Sequence, residues 1–243
     1  MDKPRILAVI PSRFGSTRFP GKPLTVIAGK TMIRRVFEQT CLAKKIADVI
    51  VATDDDRIRN EVLSFGGKVV MTSTTHLNGT ERCAEVAEQL GQDFDIILNV
   101  QGDEPFIQPE QIDLLAGIFE NAEVQIGTLA KPCSDLLLLQ QPSIVKVTLN
   151  REMQALYFSR SLIPYVRDEA PTSFYKHIGL YGYKRDTLLS IVKLPPSPLE
   201  RSENLEQLRW LENGYRIAVA ITESESISID TPEDLKRIPE NFR

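Results

Sequence analysis

Short, continuous apolar runs alternate with helix-period patterns along the first half of the chain, and nothing else in the sequence limits the fold as much. RILAVI (5–10), VIVA (49–52) and IILNV (96–100) are too short for helices and lack the polar alternation of half-buried strands. Such runs suit strands covered on both faces, as in parallel sheets. Between them, 31–44 places Met32, Ile33, Val36, Phe37 and Cys41 on one helical face. Residues 55–65 read as a helix closed by Gly66-Gly67, and 69–71 as a short strand. Residues 80–90 read as a helix with Thr80 as N-cap, and 109–120 as a helix with Pro109 in its first turn. This βα alternation predicts an α/β fold with a mostly parallel central sheet, right-handed crossovers and helices on both faces.

The second half differs. Residues 145–149, 156–159 and 180–183 read as strands without regular intervening helices. One long helix is expected over 199–213, broken by Gly214, followed by a strand at 216–221. Thr231-Pro232-Glu233-Asp234 opens another helix, with a cap, a proline at N1 and acids in the first turn. No repeat or linker interrupts the 243 residues, and Pro195-Pro196-Ser197-Pro198 reads as a rigid turn, so a single domain is expected.

Composition narrows the function. A net charge of −4 argues against a general nucleic-acid binder, so any polyanion must be held locally. The three cysteines form no CxxC pair, and with only His76 and His177 a zinc cluster is not expected. The apolar run before Pro11 is too short for a signal peptide, and no stretch is long enough to span a membrane. A reduced, cytoplasmic protein is the expectation.

In open α/β sheets ligands bind beyond the carboxyl ends of the strands. Three polar segments fall there: 11–23, 53–57 and 101–105. The first combines Gly15, Ser16 and Gly21 with Arg13, Arg18 and Lys22. Small residues let backbone N–H groups approach a ligand, and the cations neutralise a polyphosphate. It is not a Walker A loop, because five residues separate Gly15 from Gly21 and Pro23 follows Lys22. The hydroxyl that would hold magnesium is missing there, so carboxylates must be sought elsewhere. Asp103 follows the strand at 96–100, with a turn aspartate beside Gly102 as its ordinary alternative. Asp230 precedes the Thr231 cap, with simple capping as its alternative. Asp54-Asp55-Asp56 reads better as compensation of a helix dipole than as a metal cluster.

At these motifs the sequence resembles the 3-deoxy-manno-octulosonate cytidylyltransferase (CMP-KDO synthetase) family. The resemblance rests on IPSRFGSTRFPGKPL (10–24), IVATDD (50–55), NGTERCAEV (78–86), NVQGDEPFI (99–107), ALYFSRSLIPY (155–165), HIGLYGY (177–183), SPLERSENLEQLRWLENG (197–214) and DTPEDL (230–235). It implies a nucleotide-diphospho-sugar transferase-like fold, with a nucleotide-binding half near 1–130 and a smaller, mixed sugar-binding and dimerisation half near 131–243. It also implies transfer from CTP to KDO with Mg2+, for lipopolysaccharide synthesis, by a homodimer. Arg13, Lys22, Asp103 and Asp230 match the catalytic positions, the two aspartates as magnesium ligands. Arg13, Ser16, Lys22, Arg82, Gln101 and Asp103 match nucleotide contacts. Gln101, Arg160, His177, Tyr181, Glu206 and Gln207 match the sugar pocket, where Arg160 suits the sugar's carboxylate. Asn78 stands where serine is common. A cytidylyltransferase for a related acidic sugar and a catalytically silent nucleotide sensor are the rival readings.

Overall fold

The structure, a computed structural model, describes residues 3–15, 19–167, 173–224 and 228–238. Its first strand, β1 (Ile6–Ser12), is covered on both sides. Leu7 and Val9 enter one core cluster, whereas Ile6, Ala8 and Ile10 enter the other. Burying a side chain of this size contributes about 1.5–3 kcal/mol, and both faces of β1 do so, which anchors the strand that delivers Arg13. A small hairpin follows, β2 (Val26–Ile27) and β3 (Lys30–Thr31), turning through positive φ at Ala28 and Gly29. Then come α1 (Met32–Cys41), β4 (Asp48–Thr53), α2 (Asp56–Ser64), β5 (Val69–Met71), α3 (Gly79–Gln89), β6 (Ile96–Asn99) and α4 (Pro109–Ile118). Thr31, Asp55 and Asn78 cap α1, α2 and α3 by accepting from backbone N–H groups of the first turn. The cap of α3 is therefore Asn78 and not Thr80, which lies inside the first turn.

The second half comprises β7 (Ile126–Pro132), α5 (Leu136–Leu139), β8 (Lys146–Leu149), β9 (Ala155–Ser159), β10 (Tyr175–Lys184), α6 (Arg185–Ile191), α7 (Pro198–Glu203), α8 (Gln207–Glu212) and β11 (Ile217–Ile221). Three differences from the sequence reading have physical causes. The expected helix over 199–213 is two helices, because Asn204 takes φ 51 and ψ 50. Asn tolerates this left-handed conformation better than most residues. The expected helix after Thr231 is a 3-10 turn, Pro232–Arg237. The sequence reading missed β7 and α6: Gly127 dilutes the β7 pattern, and α6 is only seven residues long.

The main sheet runs β11-β7-β10-β6-β1-β4-β5, with β8 added against β10 and β9 against β8. β1 lies parallel to β4 and β6, β4 to β5, and β11 to β7. β10 is antiparallel to both β6 and β7, so the remaining strands of that run share one direction. The sheet is mostly parallel, as expected. Helices α1, α2 and α4 cover one face, and α3, α6 and α8 the other. The chain passes from β1 outward through β4 and β5, then returns to β6 on the opposite side of β1. That reversal opens a crevice beyond the ends of β1 and β6.

Candidate active site

A cleft of about 230 Å3 occupies this crevice. Arg13, Lys22, Arg82, Gln101, Asp103 and Asp230 all line it. They arrive from four segments that the sheet order brings together. The β6 loop packs closely on the end of β1: a Cβ on Gly102 would lie 2.8 Å from the Pro11 carbonyl oxygen. Only glycine permits that approach, which sets Gln101 and Asp103 beside the first loop.

Lys22 is placed by backbone geometry. Gly21, at φ 72, turns the chain into the 3-10 segment Lys22–Leu24, and Pro23 is buried beneath it. The Lys22 ammonium donates to Asp103 Oδ2 at 2.8 Å and to Asp230 Oδ1 at 3.3 Å. The Ile229 amide donates to the Asp103 carbonyl at 2.9 Å, which ties the two aspartate-bearing segments together. Two hard carboxylates thus converge on one cation. Mg2+ is commonly held by one or two carboxylates, completed by water and substrate phosphates, so this donor set fits that ion. Arg13 lines the same cleft in an exposed position. Ser16 and Arg18 lie outside the described residues.

The opposite wall is the start of α3. Arg82 is only 3% exposed, and its guanidinium donates to Asp54 and to the Thr72 hydroxyl. Asp54 therefore braces Arg82, while Asp55 caps α2 and Asp56 lies in its first turn. The acidic run divides its labour, and the dipole reading holds only for its last two members. His76 and Asn78 also line this wall. His76 Nε2 hydrogen-bonds to Glu85, and Asn78 Oδ1 accepts from the Glu81 amide at 2.8 Å. The sequence reading assigned no role to His76. The spacing of His76 and Glu85 across the start of a helix was the available signal.

The residues matched to a sugar pocket are distributed around β10. Gln101 Nε2 donates to the Gly179 carbonyl at 3.0 Å, and Gly179 lies at an irregularity in the pairing of β10 with β7. The His177 and Tyr181 rings meet at a tilt, 5.3 Å between centroids, and Tyr181 meets Trp210 edge-on at 5.2 Å. Burial pushes the His177 pKa down to about 3, so its imidazole is neutral near pH 7. The Thr128 hydroxyl lies 3.0 Å from His177 Nε2 and 2.9 Å from the Leu180 carbonyl. A hydroxyl has one proton. Given to Leu180, it leaves the Thr128 oxygen to accept from Nε2–H, and Nδ1 keeps its lone pair.

Glu206 accepts from the Thr80 hydroxyl and from Arg209, and burial raises its pKa to about 7. Gln207 is 6% exposed at the start of α8. Of the residues matched to the sugar pocket only Gln101 lines the cleft; Arg160, like His177, Tyr181, Glu206 and Gln207, lies outside its lining. The Arg160 guanidinium donates to the carbonyls of Pro142, Glu203 and Asn204, which staples the α7–α8 elbow.

A cytidylyltransferase family model matches residues 7–221. The 3-deoxy-manno-octulosonate cytidylyltransferase of Cytophaga hutchinsonii is 53% identical, with 96% of each chain covered. That of Geobacter sulfurreducens is 50% identical, covering 98% of this chain and 99% of the relative. The chain belongs to the 3-deoxy-manno-octulosonate cytidylyltransferase family. A solved CMP:2-keto-3-deoxy-manno-octonic acid synthetase, complexed with CTP, superposes with a TM-score of 0.91 at 41% identity, covering 96% of both chains. Similarity to 4-diphosphocytidyl-2C-methyl-D-erythritol synthase from Anaerococcus prevotii, at 15% identity and a TM-score of 0.62, shows the fold alone. Family membership and the crevice agree: cations, carboxylates and amides face the cleft, beside two prolines and two glycines that shape its floor.

Proposed function

We propose that the protein transfers a cytidylyl group from CTP to 3-deoxy-D-manno-octulosonate, giving CMP-KDO and diphosphate for lipopolysaccharide synthesis. The observation that carries this reading is the Lys22 ammonium held between Asp103 and Asp230 at the sheet's switch point, with Arg13 in the same cleft. A triphosphate needs converging cations there, and a divalent ion needs the two carboxylates.

The anomeric oxygen of the sugar attacks the α-phosphorus in line. The bond from that phosphorus to the bridging diphosphate oxygen breaks, and the hydroxyl proton passes to solvent. Arg13 and Lys22 hold the departing diphosphate and offset its growing charge. Asp103 and Asp230 are the residues to hold Mg2+, which when bound supplies Lewis-acid stabilisation of phosphate oxygens. Arg82, fixed by Asp54 and Thr72, and Gln101, fixed by Gly179, orient the substrates within the cleft. Glu206, Gln207, His177 and Tyr181 form the sugar side. Arg160 has five N–H donors, of which three serve backbone carbonyls. The remaining donors are available to a carboxylate. Ser16 belongs to the proposed nucleotide contacts.

We assign residues 1–130 to nucleotide binding and 131–243 to sugar binding and dimerisation. A homodimer is supported by β9, which among the described strands pairs only with β8 and carries Leu156 at 60% exposure. No helix of the described residues is long and apolar enough to cross a membrane, and a cytoplasmic enzyme is the reading that suits its substrates. Diphosphate release, measured with each nucleoside triphosphate, a panel of acidic sugars, and with or without Mg2+, tests the activity. Release is expected with CTP and KDO in the presence of Mg2+. Silence under those conditions sinks the reading, and preference for another acidic sugar redirects it.

A further inference from the structure

The first turn of α3 serves two walls at once. Asn78, Gly79 and Arg82 line the cleft, whereas Thr80, 3% exposed, donates its hydroxyl hydrogen bond to Glu206 Oε2 at 2.7 Å. The two residues lie 126 positions apart, so this contact joins the nucleotide wall to the segment after the Asn204 elbow. The other carboxylate oxygen, Oε1, accepts from Arg209 Nη2 at 3.1 Å. Both oxygens are therefore held, which fixes the carboxylate plane. A carboxylate offers about four lone-pair sites, and two are used here. The side chain keeps 24% exposure, enough for a further donor to reach it. Arg209 alone could not define that plane, because an ion pair to one oxygen leaves the carboxylate free to rotate.

We propose that Thr80 is a positioning residue of the sugar site: it fixes the Glu206 carboxylate so that its remaining lone pairs accept hydroxyls of a polyhydroxylated acidic sugar. The proposal rests on the reading of Glu206 as a sugar contact. Thr80 touches neither substrate and acts through Glu206. The same contact could be a simple tether between two halves of the chain, and the two roles separate kinetically. A tether lost would disturb both substrates or stability alone, whereas a positioning group lost affects the sugar selectively.

Initial rates of diphosphate release, with each substrate varied in turn, test this on the wild type, Thr80→Val, Thr80→Ser, Glu206→Gln and the Thr80→Val/Glu206→Gln double variant. Thr80→Val is expected to raise KM for the sugar about tenfold, the scale of a lost hydrogen bond to a charged group, with KM for CTP within about twofold. Thr80→Ser retains the hydroxyl and is expected to behave as the wild type. In the Glu206→Gln background, where an amide group replaces one acceptor oxygen, Thr80→Val should have a smaller effect than in the wild type, because both changes act on the same side chain. The proposal is overturned if Thr80→Val raises both KM values together or leaves both unchanged, or if its effect multiplies with that of Glu206→Gln. Valine matches threonine in shape; if that variant does not fold, Thr80→Ala takes its place in the same cycle. A wild type silent with CTP and KDO refutes the proposed function, whereas an active wild type with an unshifted Thr80→Val refutes only the role of Thr80.

Discussion

Lys22 sits between two carboxylates whose charges would otherwise repel, so each of the three side chains depends on the other two. Asp103→Asn keeps the shape and removes the charge. It is expected to lower turnover by at least about 10²–10³-fold, the scale of losing one group that stabilises transition-state charge. Its melting temperature should remain close to that of the wild type. Near-normal turnover in the diphosphate assay would remove Asp103 from the metal site. Arg160 carries a different expectation, because three backbone carbonyls depend on it. Arg160→Met should destabilise the fold by about 1 kcal/mol, since water can take over the two exposed carbonyls and only that of Glu203 is partly sheltered, as read by urea unfolding. Unchanged stability would return Arg160 to a purely ligand-facing role. From the sequence, Lys22 was read as a triphosphate contact and Arg160 as a partner for the sugar's carboxylate. Their partners could not be read, since a side chain's hydrogen bonds depend on which distant backbone groups the fold presents to it.

At the scale of elements, the buried strands were the most legible part. β1, β4 and β6 are covered on both faces, so their central residues form continuous apolar runs that stand out in a short window. Ends were less legible. Thr80 and Asn78 are both good caps, and the choice fell to Asn78 because the chain there is extended, at φ −143 and ψ 176. The α7–α8 elbow was hidden, because the apolar pattern persists across a left-handed residue that breaks the hydrogen-bond ladder. Asn204→Val is expected to cost about 1–2 kcal/mol, the penalty for a side chain branched at Cβ in that conformation, while Asn204→Gly should be nearly neutral. Equal effects of the two substitutions in thermal unfolding would show that the backbone at 204 is not strained.

For the whole molecule, two partly buried, desolvated titratable groups tilt stability in opposite directions with pH. Glu206 rises from 4.5 to about 7, so its folded form keeps a proton that the unfolded chain releases. Its contribution to stability is complete below pH 4.5 and is lost as pH rises through about 7. His177 falls from 6.5 to about 3, so its contribution is present above pH 6.5 and is lost as pH falls through about 3. Between pH 4.5 and 6.5 the two slopes oppose each other, each with a limiting size of about 1.4 kcal/mol per pH unit. Glu206→Gln should therefore make stability climb with pH more steeply across that window than in the wild type, and His177→Gln should make it decline. Urea unfolding at several pH values measures both, and parallel profiles for all three proteins would show that neither group is shifted by burial.

The sequence by itself determined the strand and helix alternation, the loop bearing Arg13 and Lys22, and the acidic segments at the strand ends. These are local patterns, set by periodicity, by turn residues and by which face each stretch must bury. Tertiary structure alone decided the partnerships. Lys22 meets acids 81 and 208 positions away, His76 enters the cleft wall, Arg160 turns to backbone carbonyls, and Thr80 reaches Glu206. The reason is physical: such contacts follow from the order of strands in the sheet, which brings separate loops to one edge, and that order is stabilised by the burial of two whole faces rather than by any segment alone.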